Sequence, residues 1–146
     1  MIIREAGGED LAAIVSLLAD DGLGKGREMP GDAAYQRAFE AMSAQPGNVY
    51  LVAEDDGAIV GCLQFTVIHG LSRRGMSRAQ IEGVRVRPDR RGQGLGEALF
   101  EAAFERARAA GCGLVQLTTD RRRTDALRFY ERLGFEASHW GMKRAL

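Results

Sequence analysis

The chain has 146 residues, 45% hydrophobic and 27% charged, with 20 basic residues balanced by 20 acidic ones. That length suits one domain, residues 1–146, with its own core, and the composition excludes a disordered or collagen-like chain. Zero formal net charge gives no global pull toward nucleic acid, while local basic clusters stay possible, and no nucleic-acid partner is expected.

The opening "MIIRE" predicts a short strand, broken by Gly7 and Gly8. It carries charge at Arg4 and Glu5 and no apolar run of signal length, and nothing later reaches membrane-span length. A cytoplasmic protein with no membrane partner is expected. Leu11, Ile14, Val15 and Leu18 then fall at helical spacing, with Asp10 as the expected cap. "DDGLGKGREMPG" predicts a loop, and residues 32–44 a second helix with Tyr35, Ala38, Phe39 and Met42 on one face. "VYLVAE" and "AIVGCLQFTVI" predict a hairpin joined at "DDG". After the loop "HGLSRRGMS", "AQIEGVRV" predicts a strand ended by Pro88. Strict alternation puts Ile81, Gly83 and Arg85 on one face and Glu82, Val84 and Val86 on the other.

Helical spacing resumes after Gly96 through Leu99, Ala102 and Ala103, and stops at Gly111. "GLVQLTT" predicts a fifth strand. "TDALRFYERLG" predicts a short helix capped by Thr124 or Asp125. The tail, residues 135–146, is expected to return as a last strand. Hairpins imply antiparallel pairs, and the helical crossover after Val86 implies a parallel one, so the sheet is expected to be mixed. Cys62 and Cys112 stand far apart among apolar residues and suggest buried, reduced thiols. Without a Cys-x-x-Cys pair or a His/Cys cluster, no metal site is expected.

The stretch "RRGQGLG" sits where that fourth strand hands over to a helix. Amides at a helix start lack intrahelical partners and lie at the positive end of the dipole. Glycines let such a backbone approach an anion, and Arg91 adds a forked cationic donor. A diphosphate seat and a plain strand-to-helix turn both fit the stretch. Glu97 replaces the last glycine of a dinucleotide fingerprint, and no Lys-Ser or Lys-Thr pair marks a P-loop.

In its wider setting, "VRVRPDRRGQGLGEAL" resembles the acetyl-CoA motif of the GCN5-related N-acetyltransferase (GNAT) superfamily. "DALRFYERLGF" is similar to that family's later motif, and the order of elements matches over essentially the whole chain. The resemblance implies an α/β (α+β) fold: a central, mixed, mostly antiparallel sheet flanked by helices, with a V-shaped split between the fourth and fifth strands. It implies acetyl-CoA as cosubstrate, its pyrophosphate on Arg91, Gly92, Gln93, Gly94, Leu95 and Gly96, and its pantetheine arm along Val84 and Val86. Gly83 fits a bulge that would part the strands. Tyr130 matches the family residue that protonates the departing thiolate, and Ala126, one helical turn earlier, leaves room for the cofactor.

Many relatives carry Asn where this chain has Arg123, so Arg121, Arg122 and Arg123 are left as either phosphate contacts or a solvated run. The expected reaction moves an acetyl group to the primary amine of a small molecule by direct attack. A non-catalytic acyl-CoA sensor and a protein N-acetyltransferase are the alternatives. Glu82 is the favoured base, Asp120 the second candidate, and His69 and His139 weaker ones. Acceptor selection is assigned to the two polar loops, where Asp20, Asp21 and Glu28 suit a cation and Arg73 and Arg74 a carboxylate. A homodimer is expected by resemblance.

Overall fold

The structure, a computed structural model, describes residues 1–146. Five strands run β1 (Ile2–Glu5), β2 (Asn48–Asp55), β3 (Ala58–Ile68), β4 (Arg78–Val86) and β5 (Leu114–Leu117). Four helices accompany them: α1 (Leu11–Ala19), α2 (Ala34–Ala44), α3 (Leu95–Ala109) and α4 (Thr124–Arg132). The strands lie in the sheet in chain order. The first three pairings are antiparallel and β4–β5 is parallel, so the sheet is mixed, as the crossover through α3 requires. Asp56 and Gly57 both hold positive φ, which makes the β2–β3 connection a two-residue turn that matches strand twist.

Helices cover both faces of the sheet. On one, Leu95, Leu99, Phe100, Ala103 and Ala107 of α3 bury against Leu51, Leu63, Phe65 and Ile81. On the other, Ile14 and Leu17 of α1 pack on Val52 and Cys62. Each fully buried Leu, Ile or Phe contributes about 1.5–3 kcal/mol, so helical and strand periods are fixed by the same two layers. Cys62 is buried as expected, whereas Cys112 is only partly covered. No helix is long and apolar enough to cross a membrane.

The decisive irregularity lies in β4. Cys62 pairs with Arg85 and Gln64 pairs with Glu82, so Gly83 and Val84 together face the single residue Leu63. Gly83 holds φ 58°, the geometry of a bulge with glycine at its first position. An extra residue shifts the alternation of everything beyond it. The expected sharing of one face by Glu82, Val84 and Val86 is therefore corrected. Val84 and Val86 pack with Ile81 on the α3 side. Glu82, opposite Gln64 and in line with Tyr50, turns to the α1 side.

Three further expectations change. Asp10 does not cap α1: its carboxylate takes Arg4 Nη1 at 2.7 Å and the Gly7 amide at 2.8 Å, tying β1 to the helix start. Neither Thr124 nor Asp125 caps α4, whose preceding residue is Arg123, without a side-chain cap. Residues 135–146 form no strand, and β5 is left as an open edge. In the β3–β4 loop, Arg73 and Arg74 both take left-handed backbone angles, φ 54° and 61°.

Replacing Gly83 by Ala forces a side chain into the left-handed region and brings Cβ to 3.2 Å from the Tyr50 hydroxyl. The left-handed conformation alone costs about 1–2 kcal/mol. Urea denaturation of Gly83→Ala is expected to show a loss of at least that size, and an unchanged midpoint would contradict the bulge.

Candidate active site

The β4–β5 ladder ends at Ile81 and Leu117, although β4 continues to Val86. β5 itself ends there, and a cleft of about 2800 Å³ opens beside the last residues of β4, running to the glycine turn and α4. Arg87 donates its amide to Val60 on β3, so alternation turns the main-chain groups of Val84 and Val86 toward the split. Their carbonyls are taken by side chains: Val84 O accepts from Arg85 Nη1 at 2.8 Å and Val86 O from Arg91 Nε at 3.2 Å.

At the end of β4 the chain makes one helical turn at Pro88–Arg90 and enters the glycine stretch. Gly92 and Gly94 hold φ 70° and 79°, and a Cβ at either would meet nothing within 4 Å. Both positions are thus open on the outside and left-handed in the backbone, which suits glycine. No acceptor in the chain meets the amides of Gly92, Gln93, Gly94, Leu95, Gly96 or Glu97. Six successive donors therefore stand at the positive end of a 15-residue helix. The missing Cβ of Gly96 has a second task. A Cβ there would lie 3.1 Å from the Phe129 ring, so this glycine lets α3 and α4 approach. Arg90 ion-pairs with Asp55 and fixes the turn to the β2–β3 hairpin.

Tyr130 is placed by an aromatic cluster. Its ring stands 5.7 Å from Phe100, 5.5 Å from Phe129 and 6.0 Å from Phe135, edge to face. It also lines the cleft, as does Ala126. Burial raises the phenol pKa, outweighing the opposite pull of Arg123 and Arg85, so the hydroxyl is protonated at neutral pH. Glu82 is exposed to the same cleft from β4. Asp120 is tied to Arg122 through both carboxylate oxygens, at 2.9 and 2.7 Å. The Arg122 guanidinium, then its backbone amide, hold that carboxyl below the usual range, which makes Asp120 a poor proton acceptor. His69 bonds to Ser77 and His139 to Ser138, both at the surface.

Sequence reasoning missed one cluster. Asp21 lies 2.6 Å from Arg85 and 2.9 Å from Arg123, and its carboxylate also accepts the Leu23 and Gly24 amides. Asp21 and Arg85 are only 8% and 11% exposed. The pair stitches the α1–α2 loop to β4, and Arg123 adds the turn before α4. Burial pushes the Asp21 carboxyl up, but Arg123, the two amides and Arg85 outweigh it and leave it well below the usual range. Burial lowers the Arg85 guanidinium, with Asp21 opposing. Asp21 is thus not a free charge for a cationic amine, Glu28 accepts from the Tyr35 hydroxyl, and Arg123 is not part of a solvated run. Arg121 and Arg73 do line the cleft.

A family model described as the acetyltransferase (GNAT) family matches residues 11–135. An aminoalkylphosphonate N-acetyltransferase of Salmonella typhimurium is 34% identical over 113 residues, 77% of this chain and 73% of that one. An L-methionine sulfoximine/L-methionine sulfone acetyltransferase of Pseudomonas aeruginosa is 33% identical over 141 residues, 93% of this chain and 80% of that one. Among solved structures, one described as a transcriptional regulator from Bacillus halodurans C-125 superposes with a TM-score of 0.96 at 48% identity. It covers 99% of both chains.

Removing one partner of a buried ion pair costs about 3–5 kcal/mol, because the other charge stays behind uncompensated. Asp21→Asn is expected to lose stability on that scale in chemical denaturation. The lowered Asp21 pKa adds stability that is present above the unfolded value of about 3.9 and lost as pH falls through the folded one. The variant should therefore show a flatter acid-side decline than the unaltered chain. Equal stability of the two at neutral pH would contradict the role given to the cluster.

Proposed function

The chain belongs to the acetyltransferase (GNAT) family and is an N-acetyltransferase, and from that premise we propose that it moves an acetyl group from acetyl-CoA to the primary amine of a small molecule. The observation that carries the reading is the run of six unpartnered amides at the start of α3. They offer a diphosphate more donors than a plain strand-to-helix turn needs, on a backbone with no Cβ at Gly92 or Gly94. Relatives named for an aminoalkylphosphonate and for methionine sulfoximine support a small-molecule acceptor. The same reading takes residues 1–146 as one domain, cytoplasmic and paired as a homodimer.

Acetyl-CoA, when bound, supplies an activated acetyl thioester. The chain does the rest. Amides of Gly92, Gln93, Gly94, Leu95 and Gly96 hold the pyrophosphate, and Arg91 adds a charged donor beside it. The main-chain groups of Val84 and Val86 face the split and align the pantetheine arm, while Ala126 keeps the α4 side clear. An alkyl amine is mostly protonated at neutral pH and must lose a proton before it attacks. Glu82, a carboxylate exposed in the cleft, takes that proton, directly or through water. The protonated Tyr130 hydroxyl gives a proton to the departing thiolate. Its raised pKa suits an acid and not a base.

Two substitutions test this assignment. Gly94→Val puts a branched side chain at a left-handed position on the mouth of the amide cradle. Calorimetry is expected to show CoA affinity falling at least about tenfold, or about 1.4 kcal/mol. Unchanged affinity would remove the cradle from the site. Tyr130→Phe is expected to lower kcat by about 10²–10⁴-fold, with CoA affinity within about twofold. Full turnover in that variant would mean that water supplies the proton.

A further inference from the structure

Beside the α1–α2 loop and the first half of β4, the cleft commits its acids and leaves its cations free. Asp21 is held between Arg85 and Arg123. Glu28 pairs with Arg27 and accepts from the Tyr35 hydroxyl. Two guanidiniums on one carboxylate leave the Asp21 cluster with a positive excess. Arg85 Nε lies 2.6 Å from Asp21 Oδ2 yet off the line of a hydrogen bond, so a buried donor stays unsatisfied there. Of the acids that line this part of the cleft, Asp20 and Glu82 remain without an ion pair.

Arg73 and Arg78 stand differently. Both line the cleft, and no carboxylate of the chain pairs with either. Before the bulge, Arg78, Gln80 and Glu82 share one face of β4 at period two. Gln80 is taken by Gln116 Nε2 at 2.7 Å. Arg78 and Glu82 are thus the two charges on that face, roughly 13 Å apart along the strand, and their side chains can close much of the distance. Arg73 comes from the loop just before β4, where Arg73, Arg74 and Gly75 hold φ 54°, 61° and 77° in succession. Left-handed backbone outside glycine is uncommon and gathers at ligand clamps. The glycine turn follows the other end of β4, roughly 26 Å away by strand length, so these two arginines and the amide cradle do not serve one diphosphate.

We propose that Arg73 and Arg78 seat an anionic group of the acceptor, so that the substrate is a small primary amine that also carries a carboxylate, phosphonate or phosphate. This inference rests on the small-amine reading above. A guanidinium offers forked, charged donors to any of those oxyanions. With the anion on Arg78, the amine at the other end of a short molecule lies toward Glu82, the base of the proposed reaction. The anion then orients the amine for attack, which is where a positioning contact contributes most. Lys25 lines the same cleft without an ion pair. Together with the excess charge of the Asp21 cluster it draws an anionic acceptor and repels a polycation.

Thiol release from acetyl-CoA tests it, measured with short ω-amino carboxylates and phosphonates and with amino alcohols and diamines of the same chain lengths. The best anionic acceptor is expected to exceed its matching alcohol in kcat/KM by at least about tenfold, the effect of one charge-assisted hydrogen bond, and the diamine to fall lower still. In Arg73→Ala and in Arg78→Gln, the ratio of kcat/KM for the anionic acceptor to that for the alcohol should drop by at least about tenfold, mainly through KM. Calorimetric binding of CoA shows whether each variant is folded. Equal rates for acid and alcohol, a preference for the diamine, or a ratio unmoved in both folded variants would overturn the inference and leave N-acetyl transfer in place. No thiol release with any of these amines, in a chain that binds CoA, would remove the small-amine reading and the inference with it. If neither variant folds, the acceptor preference of the unaltered chain decides the matter alone.

Discussion

Gly83 holds a backbone angle that residues with side chains rarely adopt, and the cleft descends from that one constraint. One extra residue in β4 ends its parallel ladder with β5 at Ile81, while its antiparallel ladder with β3 runs on to Val86. The main-chain groups beyond the bulge are left facing a gap. The Tyr50 hydroxyl and Leu18 stand against Gly83, so the bulge is packed as well as permitted. Where the strand ends, the chain turns straight into α3, and that places the free amides of the glycine stretch at one end of the same gap. Sheet irregularity and helix start are therefore two halves of one site.

Charge secures what the bulge creates. Asp21 binds Arg85 from β4 and Arg123 from the turn before α4, so three segments that border the cleft meet at one carboxylate. Arg90 does the same for the glycine turn by pairing with Asp55 of the hairpin. These contacts join segments distant in sequence, whereas the aromatic cluster around Phe100 fixes α4 and with it Tyr130. Burial near those arginines also shapes reactivity: the Cys62 thiol is pushed up to about 12, against the pull of Arg85, and is kept out of thiolate chemistry.

Much of this was legible in the sequence because it rests on local rules. Helical and strand periods located the nine elements to within a few residues, and Gly83 announced its bulge by standing inside a strand. What period alone missed was the bulge's effect: one inserted residue moved Glu82 to the α1 face, away from Val84 and Val86. The Asp21 cluster was hidden because its members lie about sixty and a hundred residues apart, and a charged loop gives no sign of which charges pair. The only hint was Arg85, an arginine between Val84 and Val86 near the end of a strand. Gly96 reads as a third phosphate glycine, and that its missing Cβ also lets α3 and α4 approach needs the position of Phe129. The tail was misjudged because a strand pattern specifies a pairing face but not a partner, and residues 135–146 join no strand of the sheet.

The central claim is that main-chain donors at the start of α3 receive the diphosphate of the cosubstrate. Titrating the ¹⁵N-labelled chain with CoA and following each backbone amide tests it most directly. The account predicts that the amides of Gly92, Gln93, Gly94, Leu95, Gly96 and Glu97 move most, together with those of Val84 and Val86. Saturable binding whose largest shifts fall elsewhere, with these amides unmoved, would contradict it.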